Sequence, residues 1–254
     1  MSDVLRAPAL TAAGFRHGFT TRAGGVSEGP FATMNLAVHV GDDPARVFEN
    51  HRRLAERVGY DLARLHWRSQ VHGGVVHEAQ AGEDPAELRA LEADGLVARD
   101  AGEAVSVRVA DCVPVLLADP ETGAVAAVHA GWRGVEARVV EEGLRVMAPR
   151  EAGAVIAALG PSIGPCCFEV GDDVAARIAA VSAPEVVVAG GPKPRVDLWR
   201  ALEVQLAALG VTTVERVGGC TMCDAERFHS FRRDGKTSGR MVGVIVAGAR
   251  PPTR

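Results

Sequence analysis

The residues best placed to do chemistry are a cysteine and a histidine on the two strands of one predicted hairpin. Cys112 precedes a run of six apolar residues, and His129 ends a second run of six. The turn formers of 119–123 lie between the runs, so a β-hairpin is the simplest interpretation. If Ala118 faces Ala124, Cys112 and His129 arrive at the same end of that hairpin.

A thiolate and an imidazole at this spacing support two kinds of site. Cys112 could be a nucleophile with His129 as its base, or both side chains could bind zinc. Taken singly, a cysteine or a histidine is more often a buried core residue. The shared hairpin end favours a functional role for both, and their spacing leaves the two kinds of site open.

A third ligand would favour the metal, and His72 in the segment 70–73 is the candidate. Two imidazoles and one thiolate leave a tetrahedral zinc with an open fourth position, as in catalytic zinc sites. By composition alone, His66 and His77 are equally good ligands.

Alternating helical and strand patterns position these residues. Asp43 and Pro44 predict the start of a helix that Gly59 ends, and Asp84 with Pro85 predicts a shorter one. Strands separated both by helices and by a tight turn indicate an α/β protein with a mixed sheet. No linker or repeat divides the chain, which indicates one domain. The other predicted elements are strands at 104–109, 113–118, 124–129 and 241–247 and helices near 135–147, 172–182 and 197–209.

Composition excludes several classes of protein. The 254 residues are 47% apolar and 24% charged, with a net charge of −4. That balance argues against a nucleic-acid or anionic-membrane partner, since either favours a basic surface. The first residues lack a secretory pattern, and no apolar run approaches the roughly 18 residues of a membrane helix. We therefore expect a cytoplasmic protein.

Five cysteines in a chain without an export signal read as free thiols or metal ligands. Cys220 and Cys223 form a Cys-x-x-Cys motif, which is a weak signal by itself. With Cys166 and Cys167 it would form a four-thiolate site only if the two loops met. Adjacent cysteines are poor joint ligands for one metal, so we expect these four residues to be packed as structural thiols.

Anion binding is expected from arginines, because the guanidinium group offers a planar fork to phosphate oxygens. The candidates are Arg22 in a glycine-rich turn, Arg133 close to His129, and the pair Arg232 and Arg233. Asp111, beside Cys112, could orient a ligand or cap a turn.

Long motifs in a fixed order are spread over nearly the whole chain. They lie at 17–27, 35–43, 70–73, 110–114, 129–134, 160–170, 220–221, 228–235 and 238–241. Together they closely resemble the family of multicopper-polyphenol-oxidase-like "laccase domain" proteins, which is also called the peptidoglycan editing factor or purine nucleoside phosphorylase family. Three positions depart from the family pattern, namely Val109, His51 and His229.

The resemblance implies one domain over residues 1–254, a four-layer α/β/β/α sandwich with mixed sheets, similar to proteins proposed to be cysteine hydrolases. It implies a zinc, or copper in its place, held by His72, Cys112 and His129. It further implies phosphorolysis of adenosine, inosine and S-methyl-5′-thioadenosine, and hydrolytic deamination of adenosine. Purine nucleoside and phosphate would be the partners, and from the matching motifs we expect Arg22, Asn35, Arg133 and Arg232 to bind substrate.

Two other functions remain open. The first is a cysteine hydrolase or amidase that edits peptidoglycan precursors, with Cys112 as nucleophile and His129 as base. The second is copper-dependent oxidation of phenols, as the older family name suggests. Multicopper catalysis uses histidines in His-x-His pairs, and none of the eight histidines forms such a pair. This count favours the nucleoside enzyme and the hydrolase.

Overall fold

Two β-sheets pack face to face in residues 3–248, which are the part of the chain that this computed structural model describes, the side chains of residues 85 and 86 excepted. A five-stranded sheet has the order β1-β2-β13-β6-β3, and a six-stranded sheet has the order β12-β9-β7-β8-β5-β4. The strands are Val4–Leu5 (β1), His17–Thr20 (β2), Leu65–His66 (β3), Val76–Ala79 (β4), Gly95–Ala98 (β5), Ala104–Val109 (β6), Val113–Ala118 (β7), Val125–Ala130 (β8), Ile156–Leu159 (β9), Val187–Val188 (β10), Arg195–Val196 (β11), Thr213–Arg216 (β12) and Met241–Val246 (β13).

The α-helices flank these sheets. They are Pro8–Ala12 (α1), Pro44–Val58 (α2), Pro85–Leu88 (α3), Trp132–Glu136 (α4), Val139–Met147 (α5), Asp172–Ala180 (α6), Leu198–Ala208 (α7) and Phe231–Asp234 (α8). Within the described residues, no helix is long and apolar enough to cross a membrane.

The layers follow the predicted order of helix, sheet, sheet and helix. On strand β7, Val115 and Leu117 face the helices α4 to α7, whereas Leu116 faces the other sheet. On strand β13, Val244 packs against Leu54 of α2 on the opposite side of the molecule. Because successive side chains of a strand alternate between faces, each sheet contributes to two apolar layers. Both large sheets contain parallel and antiparallel pairs, which confirms the expected mixed sheets.

The predicted helix after Asp43 begins and ends where the sequence indicated. The Asp43 side chain accepts a hydrogen bond from the Ala45 N–H, and Gly59 ends the helix with a φ of 87°. The helix predicted at 135–147 is instead divided into α4 and α5. The break lies at Arg138, whose φ of 57° is left-handed and interrupts a right-handed helix.

The hairpin register differs by one residue from the prediction. Ala118 pairs with Val125 and not with Ala124, and His129 consequently faces Pro114. The turn explains the shift, because the Asp119 N–H donates to the Ala124 carbonyl and leaves only four residues in the loop. Cys112 and His129 still lie at the same end of the hairpin, because a shift of one residue in the pairing moves neither of them to the other end.

The two loops that carry the remaining four cysteines meet, which is the condition set above for a four-thiolate site. Ser162 forms an isolated β-bridge with Cys220, which joins the loop after β9 to the loop after β12. The four sulfur atoms consequently lie within 4.8 Å of one another. The contributing residues are Cys166, Cys167, Cys220 and Cys223.

Candidate metal centre

Three potential metal ligands meet at one end of the six-stranded sheet. Ligand atoms of His72, Cys112 and His129 lie within 4.8 Å of one another. The hairpin supplies two of them, since Cys112 directly precedes β7 and His129 lies in β8, while His72 lies in the loop between β3 and β4. His66 is engaged elsewhere, with its Nε2 2.8 Å from Glu103. The structure thus brings together the three residues that the sequence singled out.

A fully buried carboxylate, that of Asp94, connects the two parts of this cluster. Its Oδ1 lies 2.8 Å from Nδ1 of His129 and accepts the backbone N–H of His72 at 2.9 Å. Its Oδ2 accepts the N–H of Gly73 at 2.6 Å. Because a carboxylate accepts from Nδ1, the other ring nitrogen of His129 is left free to face Cys112.

Burial and neighbouring charge set the protonation of these groups. Burial alone would raise the pKa of the Cys112 thiol, but His129 and His72 outweigh it and lower that pKa to about 6. Burial would lower the pKa of His129, whereas Cys112 and Asp94 raise it to about 9. These shifts favour a Cys112 thiolate beside a protonated His129 in the metal-free protein; the thiolate is the form that binds metals, and metal binding would displace the proton of His129.

The backbone around the ligands takes unusual conformations. His72 has a φ of 63° and Asp111 a φ of 89°, both in the left-handed region that residues other than glycine seldom adopt. At Gly131, an added Cβ would lie 2.9 Å from the Cys112 sulfur and 3.4 Å from Cδ2 of His72. Cys112 and His72 can approach each other there because Gly131 has no side chain.

Gln70 fixes the start of the His72 loop. Its side-chain amide donates to the Arg108 carbonyl and accepts the Arg108 N–H, both at 2.8 Å. Strand β3 has already ended at His66, so this amide continues the hydrogen bonding of β6 on the side opposite β13.

Asp111 connects the hairpin to two further loops. Its carboxylate accepts the Thr221 hydroxyl and the Arg232 N–H, each at 2.6 Å, and its carbonyl accepts the Ile163 N–H at 2.9 Å. The two roles considered for Asp111 were orienting a ligand and capping a turn. It instead holds loops in place, because both carboxylate oxygens accept hydrogen bonds from groups other than the ligands.

The ligand cluster opens into a cavity of about 680 Å³, a size typical of small-molecule sites. Its wall combines cationic and aromatic side chains, and the guanidinium groups pack on the faces of the rings. Arg89 lies 4.0 Å from the Trp67 ring centre, and Arg232 lies 5.4 Å from that of Phe168. The basic and aromatic residues on the wall are Arg89, Arg108, Arg232, Arg240, Trp67, Phe168 and Phe231.

Of the four predicted substrate-binding residues, Arg232 lines this cavity and the other three lie outside its lining. The Arg22 guanidinium donates to the carbonyls of Ala32 and Ala225, and so joins two loops. Arg133 is exposed, 4.5 Å from the ring centre of its neighbour Trp132.

Asn35 and Arg233 support the backbone near the cavity. The side-chain oxygen Oδ1 of Asn35 accepts the backbone N–H of Arg240 at 2.9 Å, so that this buried amide positions a residue of the cavity wall. The Arg233 guanidinium donates to the carbonyls of Thr221 and Phe228.

Sequence reasoning missed Asp94 and three of the four cavity arginines. Asp94 directly precedes the apolar strand β5, and its partners lie 21 to 35 residues away. An acidic residue beside a strand start was the single available signal. Nothing in the sequence distinguishes Arg89, Arg108 and Arg240 from the many other arginines, since each is placed by the fold.

Comparison with known proteins identifies the family. A family model described as multi-copper polyphenol oxidoreductase laccase matches residues 16–248. The chain belongs to this laccase family. A protein named purine nucleoside phosphorylase from Pseudomonas aeruginosa is 41% identical over 230 residues, covering 89% of this chain and 90% of that protein. One of the same name from Streptomyces coelicolor is 40% identical over 241 residues, covering 92% and 96%.

Solved structures of the laccase family have the same fold. The crystal structure of YlmD from Geobacillus stearothermophilus superposes with a TM-score of 0.88 at 35% identity and covers 97% of both chains. The Neisseria meningitidis protein NMB0706 gives a TM-score of 0.80 at 35% identity, covering 92% of this chain and 94% of that one. The four-layer fold expected from the resemblance is therefore confirmed.

Two departures from the laccase-family pattern are histidines, of which His229 is buried and His51 is half-buried. Burial, partly offset by a hydrogen bond to the Leu36 carbonyl, lowers the pKa of His51 to about 4, and its ring stacks on Trp67 at 5.6 Å. Burial also lowers the pKa of His229 to about 3. Both side chains are therefore neutral at pH 7 and pack as aromatic rings, and His51 does so next to the cavity wall.

We predict that Asp94→Asn weakens zinc binding at the His72, Cys112 and His129 cluster by about 10–100-fold, the usual cost of losing an outer-shell carboxylate. The amide keeps the shape of the side chain but removes the charge that supports His129. Competition with a chelator of known affinity measures the change. Glu92→Gln removes an exposed charge two residues away and should leave the affinity unaltered. Equal zinc affinity in the two variants would contradict the role of Asp94.

Proposed function

We propose that this chain is a metal-dependent purine nucleoside phosphorylase that acts on adenosine, inosine and S-methyl-5′-thioadenosine, and that it also deaminates adenosine by hydrolysis. The observation that carries the proposal is the joining of two features in one cavity. A ligand cluster of two imidazoles and one thiolate opens into a wall of four arginines. The names of the relatives from Pseudomonas aeruginosa and Streptomyces coelicolor support the same activity.

The donor set fits zinc. Two histidine nitrogens and one thiolate are borderline-soft ligands that suit this ion, with one position left for water or substrate. The Asp94 carboxylate behind His129 matches the usual outer partner of a metal-bound histidine. Copper accepts the same ligand types, so the donor set also accommodates it. When bound, such a metal lowers the pKa of bound water or polarises a substrate oxygen.

The arginines supply a site for phosphate. Among the described residues, the guanidinium groups of Arg108, Arg232 and Arg240 donate to backbone carbonyls. Burial, then the nearby charges of Arg240 and Arg89, lower the pKa of Arg108 to about 10, which still leaves it protonated at pH 7. Like charges held close together favour an anion between them, and guanidinium forks match phosphate oxygens.

The aromatic residues supply surfaces on which a purine can stack. Phe168 and Phe231 face the cavity, and offset stacking of rings is favourable. Trp67 also faces it, but Arg89 and the His51 ring already lie on this indole. Burial, followed by the charges of Arg108 and Arg240, lowers the pKa of His39 at the cavity wall. A neutral imidazole at this position can hydrogen-bond the edge of a purine.

A second, more apolar cavity supports the thioether substrate. It has a volume of about 420 Å³ and shares His39 and Trp67 with the first cavity. Phe48, which is 64% exposed although it lies in α2, lines it together with Val38 and Leu62. This surface provides space for an apolar group on the 5′ carbon of the ribose.

The first test of this function is phosphate-dependent release of base. The zinc-loaded protein should convert adenosine and phosphate to adenine and ribose 1-phosphate, and base release should stop when phosphate is omitted. Cys112→Ala should lose the metal bound by the His72, Cys112 and His129 cluster and lower turnover by more than about 100-fold, since outer-shell changes alone cost about 10–100-fold. Arg145→Gln, which removes an exposed arginine paired with Glu142, is the control and should retain activity. Full turnover by Cys112→Ala after loss of zinc would exclude the proposal.

Arg232→Gln tests the phosphate site. Loss of a charge-assisted hydrogen bond costs about 1.5–3 kcal/mol, so we expect KM for phosphate to rise about 10–100-fold. KM for adenosine should change much less, because Arg232 contributes one part of a wall with several aromatic surfaces. Steady-state kinetics with each substrate varied in turn measures both constants, and an equal rise in both would place Arg232 outside a dedicated phosphate site.

A specific observation favours hydrolysis by Cys112 as the second candidate function. The Cys112 thiolate faces His129, and Nδ1 of His129 is hydrogen-bonded to Asp94. Cysteine hydrolases arrange their nucleophile, base and orienting acid in this way. Such an enzyme would keep its amidase activity after removal of zinc by a chelator and would form a covalent adduct on Cys112 with an amide substrate. The phosphorylase would lose its activity under the same treatment and form no adduct.

A further inference from the structure

A second set of potential metal ligands lies outside the cavity and its wall. The sulfur of Cys223 is 3.5 Å from that of Cys166 and 3.3 Å from that of Cys167. Cys220 completes the group, and all four sulfur atoms lie within 4.8 Å of one another. Four thiols that converge from two loops are a usual ligand set of structural zinc sites.

The adjacent cysteines converge because of the local turn. In an extended chain, neighbouring side chains point in opposite directions. Here Cys167 and Phe168 both donate their N–H groups to the Gly164 carbonyl, which closes a tight turn over residues 164–168. Within that turn both sulfur atoms approach Cys223, and the sequence-based objection to joint ligation no longer applies.

The second loop is held against the first through a sulfur. The Gly164 N–H donates to Sγ of Cys220 at 3.2 Å, across a separation of 56 residues. Asp224 donates its N–H to the Cys220 carbonyl and closes the turn that contains the Cys-x-x-Cys motif. Backbone N–H groups directed at cysteine sulfur stabilise the thiolate form that binds metals.

From this geometry we propose that Cys166, Cys167, Cys220 and Cys223 bind one zinc ion in a closed tetrahedral site. With a Zn–S distance of about 2.3 Å, the sulfur atoms of such a site are about 3.8 Å apart. The two short sulfur–sulfur distances, 3.3 and 3.5 Å, are slightly below that value, and no pair of the four sulfur atoms is more than 4.8 Å apart. Four ligands leave no position for substrate, so the ion is structural.

Two arginines bind the backbone of the cysteine loops. The Arg195 guanidinium donates to the Cys166 carbonyl at 3.3 Å, and the Arg233 guanidinium donates to the carbonyls of Thr221 at 2.9 Å and Met222 at 3.4 Å. Both side chains thus fix the backbone of the cysteine loops, and Arg233 is itself paired with Asp234 at 2.8 Å.

The consequence of the site is a rigid wall for the neighbouring cavity. Thr221, between two of the ligands, donates its hydroxyl to Asp111 beside Cys112. Asp111 in turn accepts the N–H of Arg232. A metal that joins the two cysteine loops therefore limits the movement of a cavity arginine without touching substrate. Occupancy of the site does not depend on the phosphorolytic activity proposed above.

Zinc content in a Cys112→Ala background tests the proposal, because that substitution removes the other metal centre. The purified variant should retain one zinc per chain, and X-ray absorption at the zinc edge should show sulfur neighbours alone at about 2.3 Å. Adding Cys220→Ser and Cys223→Ser should remove that zinc. Met222→Leu in the same background is the matched control, since it changes a residue between two ligands and should keep the metal.

Wild-type crystals provide a test that is independent of variant folding. Anomalous diffraction at the zinc edge should place one peak among the four sulfur atoms. Absence of that peak, with four titratable thiols or with a disulfide found by mass spectrometry, would overturn the proposal. Zinc retained after loss of Cys220 and Cys223 would overturn it as well.

Discussion

The buried carboxylate of Asp94 is the interaction on which the candidate active site depends. It satisfies consecutive backbone N–H groups of the His72 loop and orients His129 from the opposite side. The His72 loop and strand β8 are thereby held at a fixed distance from each other. Removing a partner from such a network leaves buried groups unsatisfied. The positions of both histidines are thus coupled through one side chain that contacts neither the cavity nor the thiolate.

Much of the fold and part of the site could be predicted from the sequence. Helix α2 was predictable because its ends are set by Asp43 and Gly59, which act within one turn of the chain. Cys112 and His129 were predictable as neighbours because one hairpin carries both. His72 needed a family resemblance, and Asp94 escaped prediction because its contacts are tertiary. The loops of the four cysteines illustrate the same limit, since a bridge between residues 58 positions apart joins them.

A net charge of −4 conceals a strongly cationic cavity. The fold accommodates this local charge in two ways. Backbone carbonyls accept from Arg108, Arg232 and Arg240, and aromatic faces lie under Arg89 and Arg232. Both kinds of partner stabilise a cation without neutralising it, in contrast to a carboxylate. Overall charge therefore excludes a broad basic surface, but it carries no information about a concave site formed by a few arginines.

The pairing of Gln70 with Arg108 has a consequence beyond the position of His72. Strand β3 covers only the first part of β6, which would otherwise expose free N–H and C=O groups near the mouth of the cavity. Exposed strand edges of this kind recruit other chains and promote aggregation. The Gln70 amide occupies both groups of Arg108. One side chain thus protects the edge of a sheet from strand addition beside the cavity.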